Sequence, residues 1–182
     1  LLDKKWGARS RKVFALDSPS MTDGHPIPAI LFGEQNFSHA ALFAAVQAQA
    51  AALAAQGIRR GDRVLVLAGN RPEVLVLLGA VAWLGAVLVP LNLRLSPAEM
   101  NQQASDARPA LVILEASCAG LWEAAWPTGM PGVPLAMLNA ASGSTLAYVG
   151  SPEAPVAARQ DAGPLAVLML YTAAVEGHAR GS

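Results

Sequence analysis

The stretch Gly61 to Leu95, GDRVLVLAGNRPEVLVLLGAVAWLGAVLVPLNLRL, combines two β-rich runs with a helix-length apolar segment. Roughly 35 residues with this pattern make one βαβ unit. The first run, Arg63 to Ala68, is a short series of Val and Leu, typical of a strand buried on both faces of a parallel sheet. The second run, Ala86 to Val89, is predicted to be the next strand, and Pro90 should end its hydrogen-bond ladder.

A helix is predicted between these two strands. Asn70 can cap it, Pro72 lies in the first turn, where its missing N–H costs nothing, and the helix dipole favours an acid at Glu73. Gly85 is the expected end of the helix.

The same region has a competing interpretation as a membrane span. No charged residue occurs from Val74 to Leu91, and about 18 apolar positions are the lower limit for a helix that crosses a bilayer. Gly79, Gly85 and Pro90 interrupt the run, and its flanks lack aromatic and basic anchors. We therefore predict a helix and a strand in a soluble protein, with no membrane span.

Composition bounds the classes of function. The chain has 182 residues, 53% of them hydrophobic and 14% charged, and its formal net charge is zero. It can bury a core, whereas a dedicated nucleic-acid-binding domain would normally be basic. Cys118 is the single cysteine, so no internal disulfide can form and nothing indicates an oxidising compartment. We expect a cytoplasmic protein that binds no nucleic acid, with homo-oligomer formation left open.

The two ends of the sequence bear on its completeness. The chain begins with Leu1 rather than Met and stops at Ser182, shortly after a predicted strand and loop. We therefore expect a fragment, a partial amino-terminal domain over residues 1–182 without a carboxy-terminal domain. Within it, residues 127–164 are rich in Gly, Pro, Ser and Ala and are predicted to form a long irregular connection.

The segments before the central stretch are predicted to be a loop, a hairpin and a helix. Ser18 to Pro28 has loop chemistry, and its His25 should be a surface residue because no metal-site spacing surrounds it. Ala29 to Phe32 and Gln35 to Phe37 resemble a small hairpin. A helix from Ser38, its cap, to Gln56 carries many alanines, which allow close packing against a sheet.

The downstream segments continue the alternation of helix and strand. Ser96 to Glu99 is a strong helix start, with a cap, a proline and an acid, and this helix should end before Pro109. Ala110 to Leu114 is predicted to be a buried strand, and Leu165 to Tyr171 the last one. The pattern predicts an α/β layered fold, a mainly parallel sheet with flanking helices.

Two shorter features lie between those last strands. Trp122 and Trp126 are four residues apart on a predicted short helix, where packing in the core is favoured over stacking on a nucleobase. Val133 to Leu138 is a candidate strand.

Taken in order, these signals resemble the amino-terminal region of the AMP-forming acyl-CoA synthetases, within the adenylate-forming superfamily. The resemblance covers about Ala29 to Leu114. Its motifs are Gln56 to Val64 (QGIRRGDRV), Asn70 to Glu73 (NRPE) and Gly85 to Pro97 (GAVLVPLNLRLSP). The resemblance implies the amino-terminal part of that family's large domain.

The last strand and loop match the family's phosphate-binding segment in position. That segment is of the type Tyr-Thr-Ser-Gly-Thr-Thr-Gly-x-Pro-Lys-Gly, and it grips the β- and γ-phosphates of ATP. Residues 171–181 read YTAAVEGHARG. The resemblance implies nucleotide-binding roles for Thr172, Ala173, Ala174, Gly177, Arg180 and Gly181. The substitutions relative to the family are Ala173 and Ala174 for Ser and Gly, Val175 and Glu176 for two Thr, Ala179 for Pro, and Arg180 for Lys.

These substitutions differ in their physical weight. Backbone N–H groups bind phosphate whatever the side chain, and Arg180 can hold phosphate at least as well as Lys. Glu176 opposes a polyanion unless its carboxylate points away or shares a magnesium ion. Replacing Gly by Ala174 narrows the backbone conformations that are available.

The resemblance also implies a two-step reaction. A small-molecule carboxylate would attack the α-phosphate of ATP, with Mg²⁺, to give an acyl adenylate and pyrophosphate, and coenzyme A would then take the acyl group. Positioning and charge neutralisation would carry the rate. The catalytic residues are expected beyond Ser182, and no metal ligands are predicted within the chain.

Two alternatives stay open. In a non-catalytic relative, the altered loop would no longer bind ATP, and the domain would serve in binding or assembly. An unrelated doubly wound module would bind a different nucleotide or a flavin at its strand ends. No Gly-x-Gly-x-x-Gly follows any predicted strand, which counts against a dinucleotide.

Overall fold

A computed structural model of the chain describes residues 21–22, 25–26, 28–138, 166–172 and 180–181, with the backbone alone at 21–22, 25–26, 172 and 180–181. The helices are α1 (His39–Ala55), α2 (Pro72–Leu84), α3 (Pro97–Ala107) and α4 (Ala119–Ala125). The strands are β1 (Met21–Thr22), β2 (His25–Pro26), β3 (Ile30–Phe32), β4 (Gln35–Phe37), β5 (Arg63–Leu67), β6 (Val87–Pro90), β7 (Leu111–Glu115), β8 (Leu135–Leu138), β9 (Tyr171–Thr172) and β10 (Arg180–Gly181).

The central sheet is parallel, with the strand order β6-β5-β7-β8. Residues 166–170 run parallel to the outer edge of β6. There the Leu88 N–H donates to the Val167 carbonyl and the Met169 N–H donates to the Leu88 carbonyl, both at 2.9 Å. The predicted α/β fold with a mainly parallel sheet is confirmed. The candidate strand at Val133 to Leu138 is confirmed as β8.

Two layers of helices cover the sheet, and β5 illustrates how. Val64 and Val66 face one side, where α1 and α2 close an apolar cluster. Leu65 and Leu67 face the other side, where α3 and α4 pack. Because both faces are buried, β5 reads as a continuous apolar run rather than an alternating one. Trp122 of α4 and Trp126, which directly follows this helix, belong to the second cluster, with ring centroids 4.7 Å apart, so their predicted place in the core is confirmed.

The start of α2 differs from the prediction. Arg71, not Asn70, is the residue before the first helical position, and no side chain caps the helix. The residue before a proline is restricted to extended conformations, and Arg71 has φ −139° and ψ 151° before Pro72. The end is as predicted, because Gly85 adopts the left-handed conformation at φ 72°.

Helix α1 packs on α2 as well as on the sheet. Its predicted cap is confirmed, since Ser38 Oγ accepts a hydrogen bond from the Ala41 N–H at 3.1 Å. Ala50 and Leu53 pack toward the sheet, while Val46 lies over Gly79 of α2. The prediction of packing against a sheet is therefore incomplete, because α1 also packs on α2.

Gly79→Ala is expected to destabilise the chain, because a Cβ there would lie 2.6 Å from Val46 Cγ2. Overpacking costs about 1–3 kcal/mol, against a gain of up to about 1 kcal/mol in helix propensity. We expect the free energy of unfolding, measured by urea titration, to fall by about 1 kcal/mol. In a Val46→Ala background the same change should be neutral or stabilising. An equal loss in that background would contradict this packing.

Helix α3 begins with the predicted capping signal. The Glu99 N–H donates to Ser96 Oγ at 3.4 Å, and the Ser96 N–H donates to Glu99 Oε2 at 2.8 Å. The hydroxyl of Ser96 and then its backbone N–H hold the pKa of Glu99 below its ordinary value. The helix ends at Ala107, where Arg108 turns out at φ 47° before Pro109.

The predicted hairpin upstream of α1 is confirmed as β3 and β4, which pair antiparallel around Gly33 at φ 58°. Within the segment predicted to be a loop, β1 and β2 also pair antiparallel, so that prediction is wrong for these four residues. In the part of the chain that the structure covers, no helix is long and apolar enough to cross a bilayer.

Candidate functional site

The carboxyl ends of the parallel strands meet at one edge of the sheet, where α/β proteins place their ligand sites. Gly69 and Arg71 follow β5 there, and Glu115 is the last residue of β7. The chain reaches Tyr171 just past the segment that lines β6. Polar groups from three segments distant in sequence are therefore placed at this edge.

Arg71 joins two of these segments through a pair of carboxylates. Its Nη1 lies 2.9 Å from Glu115 Oε1, and its Nε lies 3.2 Å from Glu73 Oε2. The other carboxylate oxygen of Glu115 accepts from the Gly69 N–H at 2.8 Å. Glu73 is only 1% exposed and Glu115 14%, so these charges are largely shielded from water.

The environment of Glu115 shifts its protonation. Burial alone would raise the pKa of this carboxyl, but hydrogen bonds from Gly69, Ser117 and Arg71, with the charge of Arg71, outweigh burial and hold it below its ordinary value. Glu115 is therefore ionised at neutral pH. The hydrogen bonds of Arg71 to Glu73 first, and to Glu115 second, raise the pKa of the Arg71 guanidinium.

This network links the ends of β5 and β7. The backbone N–H of Gly69 is taken by Glu115, and Glu73 places a negative charge in the first turn of α2. A nucleotide phosphate bound in a doubly wound fold would need both positions. The geometry therefore counts against the alternative of a nucleotide or flavin at these strand ends.

The other polar feature of this edge is a narrow antiparallel pair formed by β9 and β10. Arg180 is in register with Thr172, and Gly181 with Tyr171. The backbone of β10 lies beside α3. The segment between Thr172 and Arg180 therefore starts and ends at adjacent points of the fold.

Tyr171 fastens this pair to α3. Its hydroxyl donates toward the Gln103 carbonyl at 3.0 Å and toward Asp106 Oδ2 at 2.8 Å. Its ring packs against the cluster that includes Met100 and Ala104. Burial, and then the hydrogen bond and charge of Asp106, raise the pKa of the Tyr171 hydroxyl, so it remains a donor throughout the neutral range.

The predicted nucleotide-binding residues fall into two groups. The backbones of Thr172, Arg180 and Gly181 come together in the β9–β10 pair. Ala173, Ala174 and Gly177 lie outside the described residues. Over the described ranges, no group of three or more His, Cys, Asp or Glu side chains could hold a metal ion.

An apolar groove of about 310 Å³ lies apart from the β9–β10 pair, between the β3–β4 hairpin and the start of α2. Leu31 and Phe32 line it from the hairpin, and Val74 and Leu75 line it from the helix. Leu31 is 70% exposed. The groove offers apolar contacts and the polar groups of Asn70 and Arg71.

Sequence reasoning missed the network of Arg71 and Glu115 and the contact of Asp106 with Tyr171. Arg71 and Glu115 are 44 positions apart, and Asp106 and Tyr171 are 65 apart. The one available signal was that Glu115 directly follows a buried apolar run, at the strand end where functional acids are found.

Known proteins resemble this chain over much of its length. The family model "AMP-binding enzyme" matches residues 21–172. Indoleacetate–CoA ligase of Aromatoleum aromaticum is 40% identical over 87 residues, which is 48% of this chain and 17% of that protein. 4-Hydroxybutyrate–CoA ligase 2 of Metallosphaera sedula is 38% identical over 87 residues, 48% of this chain and 16% of that protein. The matched stretch thus spans about a sixth of the length of these relatives.

Solved structures share the fold. ATP-bound MatB from Rhodopseudomonas palustris superposes with a TM-score of 0.64 at 28% identity, over 81% of this chain and 29% of that one. A fatty acyl CoA synthetase of Mycobacterium tuberculosis gives a TM-score of 0.64 at 28% identity, over 80% of this chain and 28% of that one. The family match covers more than half of the chain and extends to the root of the β9–β10 pair at Thr172. This chain belongs to the family of AMP-binding enzymes.

Proposed function

We propose that the chain is the amino-terminal part of an AMP-forming acyl-CoA ligase. The full protein would activate a carboxylic acid with ATP to an acyl adenylate and pass the acyl group to coenzyme A. The observation that carries this proposal is the β9–β10 pair. The match to the AMP-binding enzymes ends in β9, and the pair brackets the segment that resembles a phosphate loop.

In this proposal Thr172, Ala173, Ala174, Gly177, Arg180 and Gly181 bind the nucleotide. The register of β10 with β9 supports it, because it puts Arg180 opposite Thr172 at the mouth of the segment. Backbone N–H groups there would donate to phosphate oxygens, and the Arg180 guanidinium would neutralise charge. ATP, with Mg²⁺, would supply the adenylyl group. Coenzyme A would supply the accepting thiol.

The domain organisation is part of the same proposal. Residues 1–182 would form a partial domain, with 127–164 a long irregular connection and the carboxy-terminal domain outside the chain. Exposed apolar side chains support this, because a sheet with such surface fits against further polypeptide. On β8 and the segment beside β6, four of them are between 39% and 46% exposed: Leu135, Met137, Leu168 and Leu170.

The competing proposal is a non-catalytic relative that serves in binding or assembly. One observation favours it: residues 173–179 place Ala173, Ala174, Val175 and Glu176 where the family has Ser, Gly and two Thr. A carboxylate near triphosphate weakens binding unless it faces solvent or a metal ion. Binding of tripolyphosphate separates the two proposals, since it needs the loop and not the adenine site.

The 182-residue chain alone is expected to have no ligase turnover, because adenylation needs adenine, carboxylate and phosphate sites held together. Acyl-CoA formation would be followed chromatographically with ATP, Mg²⁺, coenzyme A and a panel of carboxylates. Indoleacetate and 4-hydroxybutyrate, the acids named for the relatives, belong in the panel. Measurable acyl-CoA would refute the proposal that the catalytic residues lie beyond Ser182.

A further inference from the structure

Tyr171 is the point at which the chain leaves the parallel sheet and enters the β9–β10 pair. Two residues upstream, the Met169 N–H still donates to the Leu88 carbonyl of β6 at 2.9 Å. At Tyr171 itself the register is with Gly181 of β10. Tyr171 is therefore the residue at which the pairing partner changes from β6 to β10.

The hydroxyl of Tyr171 meets two acceptors on α3. The Gln103 carbonyl is 3.0 Å away and Asp106 Oδ2 is 2.8 Å away, so the single phenolic proton is shared between them. Asp106 lies in the last turn of α3, where the unpaired carbonyls make a carboxylate unfavourable. Among the described residues, Tyr171 is the only hydrogen-bond donor to that carboxylate.

A purely structural role would not need this hydroxyl. Met100 and Ala104 already hold α3 against the sheet through apolar packing, and the capping box already fixes its start. Asp106 is exposed, so the contact lies at the rim and adds little to the core. The contact instead fixes Tyr171, the first residue of β9.

We infer that Tyr171 and Asp106 are a positioning pair that holds the root of the 172–180 segment on α3 before a polyphosphate binds. The inference rests on the proposed function and deepens it. A root fixed in advance lowers the conformational entropy that binding must remove. The pair touches no phosphate, so its loss should weaken binding while leaving the binding groups in place.

The test is titration of the 182-residue chain with tripolyphosphate and with MgATP, by calorimetry or ³¹P NMR. Tyr171→Phe and Asp106→Ala are each expected to bind about three- to tenfold more weakly, in line with the loss of one exposed charge-assisted hydrogen bond. The double variant should bind no more weakly than Tyr171→Phe, because Tyr171→Phe already removes the contact that Asp106→Ala removes. Asp106→Asn retains an acceptor oxygen and should recover most of the affinity.

Ser96→Ala is the matched control, since it weakens the other end of α3 by about 1 kcal/mol without touching Tyr171. It should lower the melting temperature and leave polyphosphate affinity unchanged. A decrease in affinity equal to that of Tyr171→Phe would mean that the stability of α3, and not the contact, is responsible, and would overturn the inference. Additive losses in the double variant would overturn it as well.

Hydrogen exchange separates failure of the inference from failure of the proposed function. A peptide covering residues 171–181 should exchange faster in Tyr171→Phe than in the wild type or Ser96→Ala. Equal exchange would overturn the positioning pair whatever the binding result. Absence of any polyphosphate binding by the folded wild-type chain would instead overturn the proposed function.

Discussion

Arg71→Ala is expected to lower the free energy of unfolding by about 2–3 kcal/mol. The guanidinium contacts Glu73, which is 1% exposed, and Glu115, which is 14% exposed. Its removal leaves these two shielded carboxylates without their shared cation. An exposed ion pair would be worth less than about 1 kcal/mol, and removing one partner of a fully buried pair costs about 3–5 kcal/mol. Arg71 is itself 24% exposed, which places the expected loss between these limits.

Urea titration at pH 7 would measure the loss, with Arg94→Ala as the control. Arg94 is exposed, and its replacement should change stability by no more than about 0.5 kcal/mol. Arg71→Lys should recover only part of the loss, because one ammonium cannot reproduce the two-sided contact of the guanidinium. An Arg71→Ala variant as stable as Arg94→Ala would mean that the network contributes nothing.

The stability lost in Arg71→Ala should also depend on pH, and the direction of this dependence follows from the pKa of Glu115. The pKa of Glu115 in the folded chain lies below its ordinary value of 4.5. Its contribution is therefore fully present above pH 4.5 and is lost as the pH falls through the folded-state pKa. The difference in stability between wild type and Arg71→Ala should be constant from pH 7 to about 5 and should shrink at lower pH.

Arg180→Ala is expected to weaken polyphosphate binding about ten- to a hundredfold, which is the worth of a charge-assisted contact of roughly 1.5–3 kcal/mol. Of the two charged side chains in residues 172–181, only Arg180 attracts a polyanion, whereas Glu176 repels it. Glu176→Thr should therefore leave binding unchanged or improve it.

The titration used for Tyr171 measures this effect, again with Arg94→Ala as the control. Arg94 is exposed and lies outside residues 172–181, and its removal alters net charge by the same amount as Arg180→Ala. Equal, small losses for the two variants would indicate nonspecific attraction. That result would favour the proposal of a non-catalytic relative.

Local sequence signals predicted most of the fold, because its elements are set by their own residues. Ser96 and Glu99, three residues apart, identified the start of α3. The continuous apolar run of β7 identified that strand as buried. The prediction that Asn70 caps α2 was wrong because it relied on the capping ability of an Asn side chain. The restriction that Pro72 places on the residue before it makes Arg71 the cap position instead.

The polar contacts of the candidate site were beyond such reasoning. Arg71 meets Glu115 across 44 positions, and Tyr171 meets Asp106 across 65, only after the parallel sheet has brought those segments together. Resemblance to a family supplied the proposed nucleotide-binding segment from its motif. It gave no indication that the residue at the start of that segment hydrogen-bonds to a helix.

The measurement that tests the proposed ligase most directly is carboxylate-dependent exchange of labelled pyrophosphate into ATP by the complete protein that contains residues 1–182. This exchange reports formation of the acyl adenylate alone, without coenzyme A. We expect exchange with at least one carboxylate of the panel, with an ATP requirement raised about ten- to a hundredfold by Arg180→Ala. A folded complete protein that supports no exchange with any of these acids and binds no tripolyphosphate would contradict the proposed ligase.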